Sequence, residues 1–235
     1  MKYGLLNFLL KNQPDKVSIK LGINWYLVPN EKNNKEGKHT DYLKPTSTFA
    51  NSLRECNRML YDQLKAIVNK RRDVKEVERG KVLPRGTLFY NKLVQEKRES
   101  WHLEALKELE SADIIFLDPD NGIQTNIMAS MTLTGGKAHK YILDREIANY
   151  YERGQSVIVY SHKSRQKESR YRERFERVKK KIGKQATIYL LRANRYTTRD
   201  FIIIIQPKHQ QFLEKRISYF RDSDWMKHFH PPERL

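Results

Sequence analysis

Apolar residues in this chain follow two rhythms, short unbroken runs and repeats at helical spacing. The unbroken runs predict strands. Residues 17–28 (Val17 to Val28), rich in β-branched and aromatic types, predict one strand kinked at Gly22. Residues 113–117 (Asp-Ile-Ile-Phe-Leu) and 156–160 (Ser-Val-Ile-Val-Tyr) predict two buried strands, and 186–192 and 200–206 two more. The short connection between the last two favours an antiparallel pair. A further short strand is expected over 73–78.

Helical spacing fills the intervals. Residues 2–11 predict an amphipathic helix that Pro14 ends. Leu53, Leu60, Leu64 and Ile67 place one helix over 48–70, and others are expected over 92–110, 140–153 (stopping at Gly154) and 166–183. Strands alternating with helices imply an α/β fold: a mostly parallel sheet covered on both faces, with a C-terminal antiparallel hairpin. The expected organisation is a single α/β domain over 1–235, with 208–235 a C-terminal extension.

Charge changes the picture more than size does. Lys plus Arg total 46 against 28 Asp plus Glu, a formal net charge of +18. Such an excess raises self-repulsion in the compact state and points to a polyanionic partner, nucleic acid first, DNA or RNA. No membrane partner is expected, because no stretch approaches the ~18 apolar residues a span needs. The single cysteine, Cys56, excludes an internal disulfide and a Cys-based zinc site. Residues 1–6 read as the first turn of a helix rather than a leader, so a cytoplasmic setting is expected.

In open α/β sheets, ligands bind at the carboxyl ends of the strands. That rule gathers three segments on one rim. The first is Asp118-Pro119-Asp120-Asn121-Gly122, where a buried strand emerges into two carboxylates held by a tight turn. Asp118 and Asp120 are candidate ligands for a divalent cation, or an acid–base pair. The second is Ser161 to Arg165, with His162 a candidate base or ligand beside Ser161, Lys163 and Arg165. The third is the 29–43 part of a polar loop over 29–47, which carries His39 and Asp41. Gly135-Gly136-Lys137 lacks the spacing of a phosphate loop.

Cations cluster beside this rim. Residues 163–184 hold eleven Lys or Arg against three Glu, and Tyr171, Phe175, Val178 and Ile182 supply the helix with one apolar face. Lys163, Arg165, Arg170, Arg172, Arg192, Arg195 and Arg199 are the candidate phosphate contacts.

The order of elements over 113–206, with Asp118-Pro119-Asp120-Asn121 after its strand, resembles the C-terminal half of the Rossmann-like class I methyltransferases. That resemblance implies a Rossmann-like three-layer sandwich, S-adenosylmethionine as cofactor, and Asp118 and Asn121 orienting a target amine. The chain departs from the family where a Gly-rich loop should follow the first strand: after 17–28 it offers Pro29-Asn30-Glu31, and it contains no Gly-x-Gly. The segments Lys2 to Leu6, Asn24 to Leu27 and Leu117 to Gly122 also resemble a bacterial and phage protein family, which implies no mechanism. Three readings stay open. One is a methyltransferase-type enzyme acting on nucleic acid. The second is a metal-dependent nuclease or hydrolase using Asp118, Asp120 and His162 with Mg2+ or Mn2+. The third is a non-catalytic nucleic-acid-binding protein.

Overall fold

The structure, a computed structural model, describes residues 1–11, 18–29, 43, 48–71, 73–129, 138–163, 165–183, 186–195 and 197–235. Its first elements are α1 (Lys2–Leu10), β1 (Leu21–Asn24), α2 (Thr48–Cys56), α3 (Arg58–Lys70), α4 (Val74–Arg79), β2 (Leu88–Tyr90) and α5 (Arg98–Glu108). There follow β3 (Ile114–Leu117), β4 (Gly122–Ile123), α6 (Asn126–Ala129), β5 (Tyr141–Ile142), α7 (Asp144–Glu152) and β6 (Ser156–His162). The chain closes with α8 (Glu168–Ile182), β7 (Thr187–Arg195), β8 (Thr197–Ile205), α9 (Gln210–Arg221) and β9 (Glu233–Arg234).

Seven strands form one mixed sheet in the order β2-β1-β3-β6-β8-β7-β9. β2, β1, β3 and β6 run parallel, and β8 lies antiparallel to both β6 and β7. The fold is therefore α/β, with a parallel core and an antiparallel edge. Side-chain alternation along each strand divides the core in two. Ile114, Phe116 and Ile158 face a cluster built with α1, α3 and α9, whereas Ile115, Leu117 and Val157 face one built with α5, α7 and α8. Both faces of the sheet are thus covered. Residues of the 208–235 segment, including Phe220, Trp225 and Phe229, pack into the first cluster. Among the described residues, no helix is long and apolar enough to cross a membrane.

Three expectations need correction. The segment 73–78 is helix α4, not a strand. Asp73 accepts a hydrogen bond from Lys75 N at 3.0 Å and Glu76 stands three residues on, a capping pattern that outweighs two valines. The helix over 48–70 is two helices, because Asn57 adopts extended backbone and caps α3 by accepting from Leu60 N at 3.0 Å. Gly22 makes no kink. It lies inside β1, where a Cβ would come within 2.9 Å of Ala112 Cβ and Ile115 Cδ1, so a side chain is excluded by packing.

Candidate functional site

The chain runs from β1 to β2 on one side, then crosses to β3 on the other. The crevice between the carboxyl ends of β1 and β3 is therefore the point where the strand order reverses. Asp118 emerges there, with its backbone N–H donating to Asn24 O at 3.0 Å. One residue past the last paired positions, Leu117↔Val159, Asp118 stands level with Tyr160.

The partner of Asp118 is one that sequence reading missed. Lys2 Nζ donates to Asp118 Oδ2 at 2.5 Å, across 116 residues of sequence. The Lys2 ammonium also lies 5.3, 5.7 and 5.9 Å from the ring centres of Tyr3, Trp25 and Tyr160. Burial alone would lower the Lys2 pKa, but the Asp118 carboxylate outweighs it and holds the pKa above the ordinary lysine value. Burial raises the Tyr160 hydroxyl, against the pull of Arg199 and Lys2.

Gly122 locks the acidic turn to the sheet. Its φ is +94°, and a Cβ there would lie 2.2 Å from Ser161 Oγ and 2.6 Å from Ser161 Cα. Ser161 is wholly buried and accepts from Tyr171 OH at 3.2 Å. Asn121 N donates to Lys140 O at 2.9 Å, and β4 pairs with β5 beyond it. Asp120 is exposed at the turn and Asn121 half-buried.

His162 stands two residues beyond Tyr160 on β6, its Nδ1 3.2 Å from Lys163 O. Among the described residues it shares no hydrogen bond or ion pair with Asp118, and no group of three or more His, Cys, Asp or Glu side chains is arranged to hold a metal ion. His39 and Asp41 lie outside the described residues.

The end of β1 bears on the implied cofactor. A Gly-rich loop would bring backbone amides up to it. Here that place is taken by Trp25 and Tyr26, 2% and 1% exposed. Trp25 stacks on Phe89 and donates to Glu78 at 2.8 Å, and Tyr26 packs edge-on against Trp101. These residues do not fit S-adenosylmethionine at that position.

Several of the expected phosphate contacts have internal partners. Glu168 accepts from Arg192 at 2.9 Å and Arg172 at 3.0 Å, and Lys163 Nζ lies 3.2 Å away. Arg192 also makes a two-pronged bond to buried Asp200, at 2.8 Å for each prong, and Arg172 does the same with Glu233. Arg165 and Arg170 are exposed, Arg199 is half-exposed, and the side chain of Arg195 lies outside the described residues.

The Glu168 cluster has a measurable signature. Partial burial would raise its pKa, but Arg192, Arg172 and Lys163 together lower it from 4.5 to about 2. A depressed carboxylate stabilises the fold above its unfolded value and loses that contribution as pH falls toward its folded value. Thermal unfolding from pH 6 down to pH ~2.5 is therefore expected to separate wild type from Glu168→Gln. The wild-type advantage should shrink below pH ~4.5, and a constant gap would rule out the cluster as described.

A cleft of about 650 Å3 opens elsewhere, between α1, Asn57 and the 216–227 segment, with Phe8, Cys56, Arg216 and Trp225 in its walls. It includes none of the rim residues. Burial, then Asp224, push the Cys56 thiol up to about 11, so it is no nucleophile at neutral pH. No family model matches the chain, and no curated protein matches it either.

Proposed function

We propose that this protein is an enzyme acting on nucleic acid, working on a base held at the Asp118–Gly122 rim of a Rossmann-like, methyltransferase-type scaffold. The observation that carries the reading is the Asp118 carboxylate at the strand-order reversal, bonded to a Lys2 ammonium that itself lies 5.7 and 5.9 Å from the ring centres of Trp25 and Tyr160. Carboxylate and amide side chains pair with the amine edges of bases. Aromatic faces receive a base that has left its stack. Asp118 and Asn121 then orient the base amine, while Asp120 and His162 serve as proton acceptors at the mouth. The antiparallel strand β8, inserted between β6 and β7, supports the scaffold assignment. Exposed Arg165 and Arg170 and half-exposed Arg199 are the described cations offered to the phosphate backbone, whereas Lys163, Arg172 and Arg192 are engaged with Glu168, Asp200 and Glu233.

The test separates binding from turnover. Single-stranded and duplex DNA and RNA are assayed for base modification and for cleavage, with and without S-adenosylmethionine, Mg2+ and Mn2+. Asp118→Asn is expected to cut base modification by roughly 100-fold or more while leaving affinity within about threefold. Wild-type affinity should fall at least about tenfold between 50 and 200 mM salt, as phosphate contacts require. Cleavage that depends on Mn2+ and vanishes in Asp120→Ala would replace this reading with metal-dependent hydrolysis. Binding without turnover under every condition would leave a non-catalytic nucleic-acid-binding protein.

A further inference from the structure

Lys2 belongs to the chain, yet its ammonium is held as a ligand's would be. One carboxylate oxygen lies 2.5 Å away and three aromatic rings face the same nitrogen within 5.9 Å. Ring faces carry negative charge density, and several of them closing on one point together with a carboxylate form a recognition site for organic cations. Tyr3 comes from Lys2's own helix. Trp25, Asp118 and Tyr160 come from the ends of β1, β3 and β6, so most of the seat is part of the sheet. The seat also occupies the crevice where open α/β sheets take their ligands.

The occupant and its acceptor differ in access. The Lys2 side chain is 31% exposed and that of Asp118 only 11%. Lys2 therefore reaches solvent along its flexible stem, and rotating it outward does not require α1 to unfold. That movement uncovers Asp118 and the ring faces together. We propose that this seat binds the alkylammonium group of a ligand, with Lys2 as the resident occupant that the ligand displaces. A base amine and an alkylammonium would compete for Asp118, and the ammonium seat stands on its own geometry if the nucleic-acid reading fails.

Vacating the seat provides the test. Lys2→Ala in a Trp101→Phe, Trp225→Phe background is titrated with n-butylammonium and tetramethylammonium chloride at constant ionic strength, with the fluorescence of the remaining Trp25 as the readout and sodium chloride as the control. Saturable binding with Kd of roughly 1–10 mM is expected, at least about tenfold tighter than to wild type. Adding Asp118→Asn should weaken it at least about tenfold. Lys2→Ser serves as a second variant, and circular dichroism verifies that each is folded. Absence of saturation in both folded variants would overturn the proposal, as would binding indifferent to Asp118→Asn. Nucleic-acid affinity is read separately, and its absence in wild type with ammonium binding present in Lys2→Ala would count only against the nucleic-acid reading.

Discussion

Gly122→Ala is expected to destabilise the protein by about 2–4 kcal/mol, roughly 5–15 °C in melting temperature for a chain of this size. Two costs combine. At φ +94° an L side chain is strained whatever space surrounds it. Here the space is also taken: the new methyl would meet Ser161 Oγ, Cα and Cβ at 2.2, 2.6 and 2.7 Å. A rotamer change of Ser161 relieves only the first of these. The Cα belongs to a β6 position paired with Asp200 of β8, so the acidic turn must move instead. Removing the Ser161 side chain should recover part of the loss, so Gly122→Ala with Ser161→Gly is expected to be more stable than Gly122→Ala alone. Activity should fall further than stability, because the displaced turn carries Asp118, Asp120 and Asn121. A melting temperature within a degree of wild type would disprove the close packing of the turn on β6.

The sheet was easier to read in the sequence than the site. Ile114 to Leu117 and Ser156 to Val159 are apolar on both faces, and only a strand covered on both sides accommodates that. The hairpin of β7 and β8 followed from proximity, since few residues separate two strong apolar runs. Helix boundaries were harder, because single caps decide them: Asn57 splits one apolar repeat, and Asp73 turns a β-like segment into α4. Asp118 was legible because its strand points it at the rim. Lys2 was not, for no periodicity links residues 116 apart and a lone lysine carries no motif. The same holds for the arginines. Their charge is plain in the composition, but their pairing with Glu168, Asp200 and Glu233 depends on how α8 packs against the hairpin and the chain end. Net charge thus overstated how much of this surface is unpaired.

Glu146→Ala is expected to cost about 3–5 kcal/mol, measured by urea unfolding, because it leaves a largely enclosed guanidinium, 12% exposed, without its counter-charge. Glu146 is 1% exposed. Its carboxylate accepts from Arg98 Nε at 2.6 Å and Nη2 at 2.9 Å, from Tyr26 OH at 3.2 Å and from Leu143 N at 3.1 Å. Arg98 lies between the rings of Tyr26 and Trp101, 5.2 and 5.0 Å from their centres, with its remaining bond to Tyr141 O at 2.9 Å. Burial would lower the Arg98 pKa, but Glu146 outweighs it and raises it. Removing the acid reverses that balance and frees Tyr26, which holds an unusual φ of +49° two residues beyond β1. The loss should therefore spread to the rim, because the Tyr26 amide N–H donates to Asn24 Oδ1 and Asn24 O accepts from Asp118 N. Removing both charges tests the cause. Arg98→Met with Glu146→Leu should recover at least about half of the loss, since an apolar pair of similar volume replaces an uncompensated charge. If the double variant is no more stable than Glu146→Ala, the cost comes from packing, and the link from Glu146 through Tyr26 to Asp118 has no electrostatic basis.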